Sequence, residues 1–276
     1  MKRIVSVQDI SCVGKCSLTV ALPVLSAMGV EAAILPTAVL SNHTAFHGFT
    51  YCDLTDQMEP ILRQWEREDI RFDAVYTGYL GKVAQVERME QFFADQRKQG
   101  ALIFVDPVMA DNGKLYAGFD EAYVAANRRL CAGADVILPN ITEACFLTGI
   151  PYQEEADEAY SRRLLEALAQ LGTKQVVLTG VKQRAGRMGV MSLDSATGEV
   201  FAYDATHLPV SLHGTGDVFA STVLGALMRG RSLQEALRIA VDFTVTAIEK
   251  TMHDPEARWY GASFELAFPE LLKSLE

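Results

Sequence analysis

From residue 213 the chain reads His213-Gly214-Thr215-Gly216-Asp217-Val218-Phe219-Ala220 and runs on as an apolar stretch. Glycines let backbone N–H groups come close to an anion, and a helix N-terminus adds positive potential there. A carboxylate beside such a loop can accept the proton of an attacking hydroxyl. Loop and Asp217 together suit phosphoryl transfer to an alcohol, with N–H groups stabilising charge as it develops. The same residues also fit a plain glycine turn in which Asp217 complements the helix dipole, and short glycine motifs do not separate the two readings. An unperturbed Asp ionises near ~3.9 and N–H donors favour its charged form, so Asp217 is expected to be ionised at neutral pH.

A second set of polar residues follows the ends of β-rich runs: Asp9, Tyr79, Asp106, Asp111, Asn140, Glu143 and Thr179. In an open α/β sheet, ligands bind at those strand ends. Several carboxylates converging on one edge repel unless a cation is shared. Familiar alternatives fail. Gly14-Lys15-Cys16 looks like the end of a P-loop, but Asp9 stands in place of its first glycine and Cys16 in place of Ser or Thr. No Gly-x-Gly-x-x-Gly follows the first strand, and His43 with His47 lacks the Glu of a His-Glu-x-x-His zinc site.

The elements that must hold these residues alternate between short β-rich and helical segments, the pattern of a mostly parallel sheet covered by helices. Strands are expected at 4–7, 32–35, 74–76, 102–105, 136–138 and 176–178. Helices are expected at 17–28, 53–68, from about 80 to 99, after Asn140, at 160–171, 217–228, 233–250 and after Ser263. Leu54, Met58, Ile61, Leu62 and Trp65 recur on one helical face. Asn140 with Glu143 has capping-box spacing. Residues 188–193 and 200–203, joined by Ser195-Ala196-Thr197-Gly198, read as an antiparallel hairpin at one edge. No repeat or linker interrupts the chain, so one domain over 1–276 is expected.

Composition agrees with a globular protein and excludes other classes. Of 276 residues 49% are apolar, and 25 basic against 35 acidic residues give a net charge of −10. That balance argues against a general nucleic-acid or anionic-membrane binder. Five cysteines without Cys-x-x-Cys spacing fit reduced thiols in a cytoplasmic protein. The longest apolar stretch is broken by Pro23, Ser26 and Gly29, so no membrane span is expected.

Gly214-Thr215-Gly216-Asp217 resembles the anion-hole and base motif of the ribokinase superfamily. Asp106-Pro107-Val108-Met109-Ala110-Asp111-Asn112-Gly113-Lys114-Leu115-Tyr116 resembles its vitamin B6 kinase branch, the pyridoxal/pyridoxamine kinases. So do Leu40-Ser41-Asn42-His43-Thr44, Thr77-Gly78-Tyr79 and Pro139-Asn140-x-x-Glu143-Ala144. The matches run in family order over most of the chain. The resemblance implies a ribokinase-like α/β fold, with a mostly parallel central sheet, helices on both faces and an antiparallel edge hairpin. It implies ATP-dependent phosphorylation of the 5′-hydroxymethyl group of pyridoxal, pyridoxine or pyridoxamine.

In that scheme Asp217 is the base, and Gly214, Thr215 and Gly216 supply the anion hole. Asp9, His43, Thr44 and Tyr79 line the pyridine pocket, although His43 and Tyr79 also fit ordinary packing roles. Asp106, Asp111, Asn140 and Glu143 organise Mg²⁺ and the ATP phosphates, partly through water, with Asp106 and Glu143 serving the metal. Thr179 and Lys182 lie near the nucleotide, and 111–118 forms a flap. ATP and Mg²⁺ are the implied cofactors, a monovalent cation an optional one, and a homodimer the implied assembly. Asp9 departs from the Ser of many pyridoxal kinases. The related hydroxymethylpyrimidine kinases typically carry Gly-Thr-Gly-Cys and Ala-Lys-Ser-Gly where this chain has Asp217 and Ala110-Asp111-Asn112-Gly113. They are the first alternative; a catalytically silent binder of a B6 vitamer is the second.

Overall fold

A computed structural model describes residues 1–276, the side chain of Gln183 excepted. In chain order the elements are β1 (Arg3–Ser11), α1 (Leu18–Ala27), β2 (Glu31–Leu40), β3 (Tyr51–Asp53), α2 (Thr55–Arg67), β4 (Ala74–Thr77) and α3 (Val83–Lys98). Then come β5 (Leu102–Val105), β6 (Ala110–Asp111), β7 (Lys114–Leu115), α4 (Glu121–Ala132), β8 (Val136–Ile137), α5 (Ile141–Thr148) and α6 (Glu158–Ala169). The chain ends with β9 (Gln175–Arg184), β10 (Arg187–Asp194), β11 (Val200–Thr206), α7 (Thr215–Met228), α8 (Leu233–His253), a 3₁₀ turn (Phe264–Ala267) and α9 (Phe268–Ser274). The elements form two compact units, Met1–Asp73 with His207–Glu276, and Ala74–Thr206.

In the first unit the strand order is β1-β2-β3, with β1 and β2 parallel and β3 antiparallel to β2. Ile4, Val5 and Val7 are all fully buried, so β1 is a continuous apolar run, as parallel strands are. Register holds from Arg3↔Glu31 to Gln8↔Pro36 and then shifts, with Ile10 facing Val39. While β1 advances two residues, β2 advances three. Asp9 sits at this bulge, a device that re-aims side chains. Helix α7 is buried on every side from Val218 to Ala226 and packs against α1 and α8. Its N-cap is Gly214 in the left-handed region at φ 79°. A Cβ there would lie 1.7 Å from the Lys15 carbonyl oxygen, so only glycine fits this approach.

In the second unit the strand order is β11-β10-β9-β8-β5-β4. β4, β5, β8 and β9 are parallel; β9, β10 and β11 form an antiparallel meander at the edge. The expected hairpin is therefore present and β9 extends it to three strands. The pattern assigned β9 only residues 176–178, because its outer half beyond Gly180 loses the apolar run. It also assigned no helix at α4, and placed 53 within α2 where β3 occupies 51–53. Short, exposed β3 carries no alternation to betray it. The β6-β7 hairpin lies within the segment expected as a flap. Asn112 and Gly113 both have positive φ, 50° and 75°, the geometry of a two-residue Asn-Gly turn.

Candidate active site

In the first unit the sheet end and the N-termini of α1 and α7 gather the Asp9 and Asp217 sets. Asp9 is buried, and its carboxylate accepts hydrogen bonds from Ser11 Oγ at 3.0 Å and Ser17 Oγ at 2.5 Å. Burial holds this carboxyl above its usual range, against the pull of the two hydroxyls. Asp217, half-buried in the first turn of α7, is pushed up to about 7 by burial; the Ser17 N–H opposes the shift and the Asp9 charge adds to it. The expected ionised Asp217 is thus corrected, because desolvation outweighs the one N–H donor and a second carboxylate lies close. A carboxyl poised near neutrality is better matched to proton uptake than an ordinary Asp.

Cys16, between these carboxylates, is pushed up to about 12 by burial and by the charges of Asp217 and Asp9, so it stays a thiol. Lys15 turns away: its Nζ pairs with Glu265 at 2.7 Å and lies 5.4 Å over the Phe264 ring. His43 is buried, with Nδ1 accepting the Ala45 N–H at 3.1 Å and Nε2 donating to the Tyr260 carbonyl at 3.0 Å. Both ring nitrogens are occupied by backbone, so His43 offers a ligand only its ring. That ring lies 4.9 Å from His213 and 5.1 Å from Phe46, in a cluster that includes Trp259 and Tyr260. Thr44 is exposed on the same turn. Thr215 Oγ1 donates to the Leu212 carbonyl at 3.1 Å, which fastens the glycine loop.

In the second unit the N-terminus of α5 organises the other set. Asn140 Oδ1 accepts the Glu143 N–H, and Glu143 Oε2 accepts the Asn140 N–H, both at 2.9 Å, completing the expected capping box. Glu143 Oε1 accepts the Met109 N–H at 2.9 Å. Asn140 Nδ2 donates to the Ala110 carbonyl at 2.9 Å, and the Gly113 N–H to Thr142 Oγ1 at 3.0 Å. The cap of α5 therefore anchors the Asp111 hairpin, a role the spacing of residues 140 and 143 does not reveal. Glu143 is buried and pushed up to about 7 by that burial, with the N–H groups of Asn140, Met109 and Ala110 opposing and Asp111 adding to the rise. Thr179 bridges to Asn140, its N–H bonding the Pro139 carbonyl at 3.0 Å. Asp106 is half-buried just past β5, while Asp111 and Lys182 are exposed. The Tyr79 ring packs 5.7 Å from Phe119, which stacks on Tyr123. Tyr79 thus has a packing role whatever else it contacts.

The residues missed by sequence reasoning are Ser11 and Ser17, which hold Asp9. Ser17 reads as an ordinary helix start; its only distinguishing signal is conformational.

A mostly parallel sheet with helices and a small antiparallel hairpin is the fold of the ribokinase-like kinases, and solved structures match it over nearly the whole chain. A protein from Bacteroides thetaiotaomicron assigned to the phosphomethylpyrimidine kinases, crystallised with pyridoxal, matches at TM-score 0.92 and 38% identity over 98% of this chain and 95% of its own. Pyridoxal kinase from Lactobacillus plantarum matches at TM-score 0.90 and 37% identity over 99% and 97%. The pyridoxal kinase PdxY of Rubrobacter xylanophilus is 30% identical, covering 91% of this chain and 88% of its own. The chain belongs to the phosphomethylpyrimidine kinase family, whose model matches residues 21–257.

Proposed function

We propose that this kinase phosphorylates the 5′-hydroxymethyl group of pyridoxal, pyridoxine or pyridoxamine with ATP. The observation that carries the reading is Asp217, poised near neutrality beside Gly214-Thr215-Gly216 at the N-terminus of α7. Asp217 takes the hydroxyl proton as the oxygen bonds to the γ-phosphorus of ATP and the bond from that phosphorus to the departing ADP oxygen breaks, and the loop N–H groups meet the charge on the transferring phosphoryl group. Asp9 pairs with a cationic amine or ring N–H of the acceptor, with Thr44 and the ring of His43 at the pocket wall and Tyr79 as a further wall residue. Asn140, Glu143, Asp111, Asp106, Thr179 and Lys182 serve the nucleotide, and the β6-β7 hairpin with the residues to 118 is its flap. The whole chain, 1–276, acts as one catalytic domain.

The donor chemistry fits Mg²⁺ held chiefly by nucleotide phosphates and water, the usual arrangement for this ion. Among the described residues no group of three or more His, Cys, Asp or Glu is gathered for a metal, and both Glu143 oxygens already accept backbone N–H groups. Asp106 is then the direct candidate, and Glu143 acts through water. When bound, the ion would neutralise phosphate charge. EDTA should abolish turnover and added Mg²⁺ restore it; full activity in metal-free buffer would remove Asp106 and Glu143 from this role.

No helix among the described residues is long and apolar enough to cross a membrane. Together with five unpaired cysteines this supports a cytoplasmic setting, and the family resemblance supports a homodimer.

Hydroxymethylpyrimidine or its phosphate is the competing acceptor, and the family's description names the phosphorylated form. Asp9 supplies a test of the pocket. Asp9→Ser should change the ranking of the three B6 vitamers more than the ATP KM, because a carboxylate pairs with a cation where a hydroxyl offers only neutral hydrogen bonds. An unchanged ranking would leave Asp9 a strand-end residue.

A further inference from the structure

Ser17 precedes α1 with φ 50° and ψ −131°, a conformation glycine adopts freely and an L side chain resists. It is buried, yet its side chain makes no cap bond to α1. Its Oγ instead donates to Asp9 Oδ1 at 2.5 Å, and its N–H faces the Asp217 carboxylate and favours that group's charged form. One strained residue thus holds Asp9 by its side chain and faces Asp217 with its backbone N–H. A glycine would supply the N–H without the strain, so the feature that needs a serine is the hydroxyl. Strain of this kind persists where the surroundings over-determine it, often at functional sites.

We infer that Ser17 is a positioning residue that keeps Asp9 ionised toward the acceptor and so leaves Asp217 as the carboxylate that takes up the proton. The inference rests on the roles given above to Asp9 and Asp217. Two like charges close together cannot both ionise easily, and the hydrogen bonds each receives decide which one carries the proton. Asp9 has two hydroxyl donors, Ser11 and Ser17, with the His43 ring facing it; Asp217 has the Ser17 N–H, with Asp9 and the protonated Cys16 thiol facing it.

The test is the pH profile of kcat/KM for pyridoxal in the full-length enzyme. Ser17→Gly keeps the N–H and relieves the backbone, but removes the donor to Asp9. A lost donor raises the ionisation of Asp9 toward that of Asp217. The acid limb should move up by about one pH unit and steepen from one proton toward two. Ser17→Ala, which retains the strain, should show the same shift. In an Asp9→Asn background, Ser17→Gly should leave the limb where it was. A loss equal at every pH, an unmoved limb, or the same shift without Asp9 would overturn the inference. If the parental enzyme phosphorylates none of the three B6 vitamers, the proposed function itself falls; if it is active on one of them and only the limb for that vitamer fails to move, the role of Ser17 falls alone.

Discussion

Asp217→Asn should lower kcat by roughly 10²–10⁴-fold while nucleotide affinity stays nearly parental. Asn keeps the shape of the side chain and can still accept the Ser17 N–H, but it cannot take the hydroxyl proton. In the parental enzyme activity should rise as pH increases through about 7, where Asp217 loses its proton, and this limb should vanish in the variant. A stability effect of opposite sign accompanies the loss. The folded state holds a proton on Asp217 up to about 7, whereas the unfolded chain releases it near the ordinary 3.8. The cost of ionising this carboxyl therefore grows between those values and is complete above 7. Asp217→Asn should raise the melting temperature at pH 8 and leave it nearly unchanged at pH 4. Near-parental single-turnover transfer by the variant would reduce Asp217 to a helix-start residue.

Gly214→Ala should cost turnover about 10³-fold or more and destabilise the protein as well. Its Cβ would meet the Lys15 carbonyl oxygen at 1.7 Å and its carbon at 2.8 Å, both backbone atoms that no rotamer change can move aside. Alanine also resists φ 79°, which alone costs about 1 kcal/mol or more. The loop must open, displacing the N–H groups and Asp217 together. Loss of one preorganised donor is worth about 10²–10³ in rate, so loss of the set exceeds that. Gly216→Ala supplies the contrast. A Cβ there meets nothing within 4 Å, so the variant should fold with parental stability. Its added methyl would occupy the approach an anion needs, and turnover should still fall. Equal melting temperatures for Gly214→Ala and the parent would contradict the packing described, and full activity of Gly216→Ala would contradict the anion loop.

The pattern of residues carried the fold further than it carried the chemistry. Buried parallel strands such as 102–105 announce themselves as unbroken apolar runs, and the Asn140–Glu143 cap is explicit in its spacing. β3 and the outer half of β9 were illegible because they are short or half-exposed, and α4 because its apolar face is thin. At the site, residue types indicated Asp9, Asp217 and the glycine loop. The ionisation of Asp217 was not legible, since it depends on burial and on a carboxylate 208 positions away in sequence (217 − 9). Nor was Ser17, whose meaning lies in a backbone angle, or the double use of Glu143 as cap and hairpin anchor.

The central claim is that the alcohol of a B6 vitamer is the acceptor. The direct measurement is coupled ADP release with Mg²⁺–ATP and pyridoxal, pyridoxine, pyridoxamine, hydroxymethylpyrimidine or ribose, with the phosphorylated products identified by mass. At least one B6 vitamer should yield its 5′-phosphate, at a kcat/KM well above that for hydroxymethylpyrimidine, and ribose should yield none. A higher kcat/KM for hydroxymethylpyrimidine, or vitamer binding without ADP release, would contradict it.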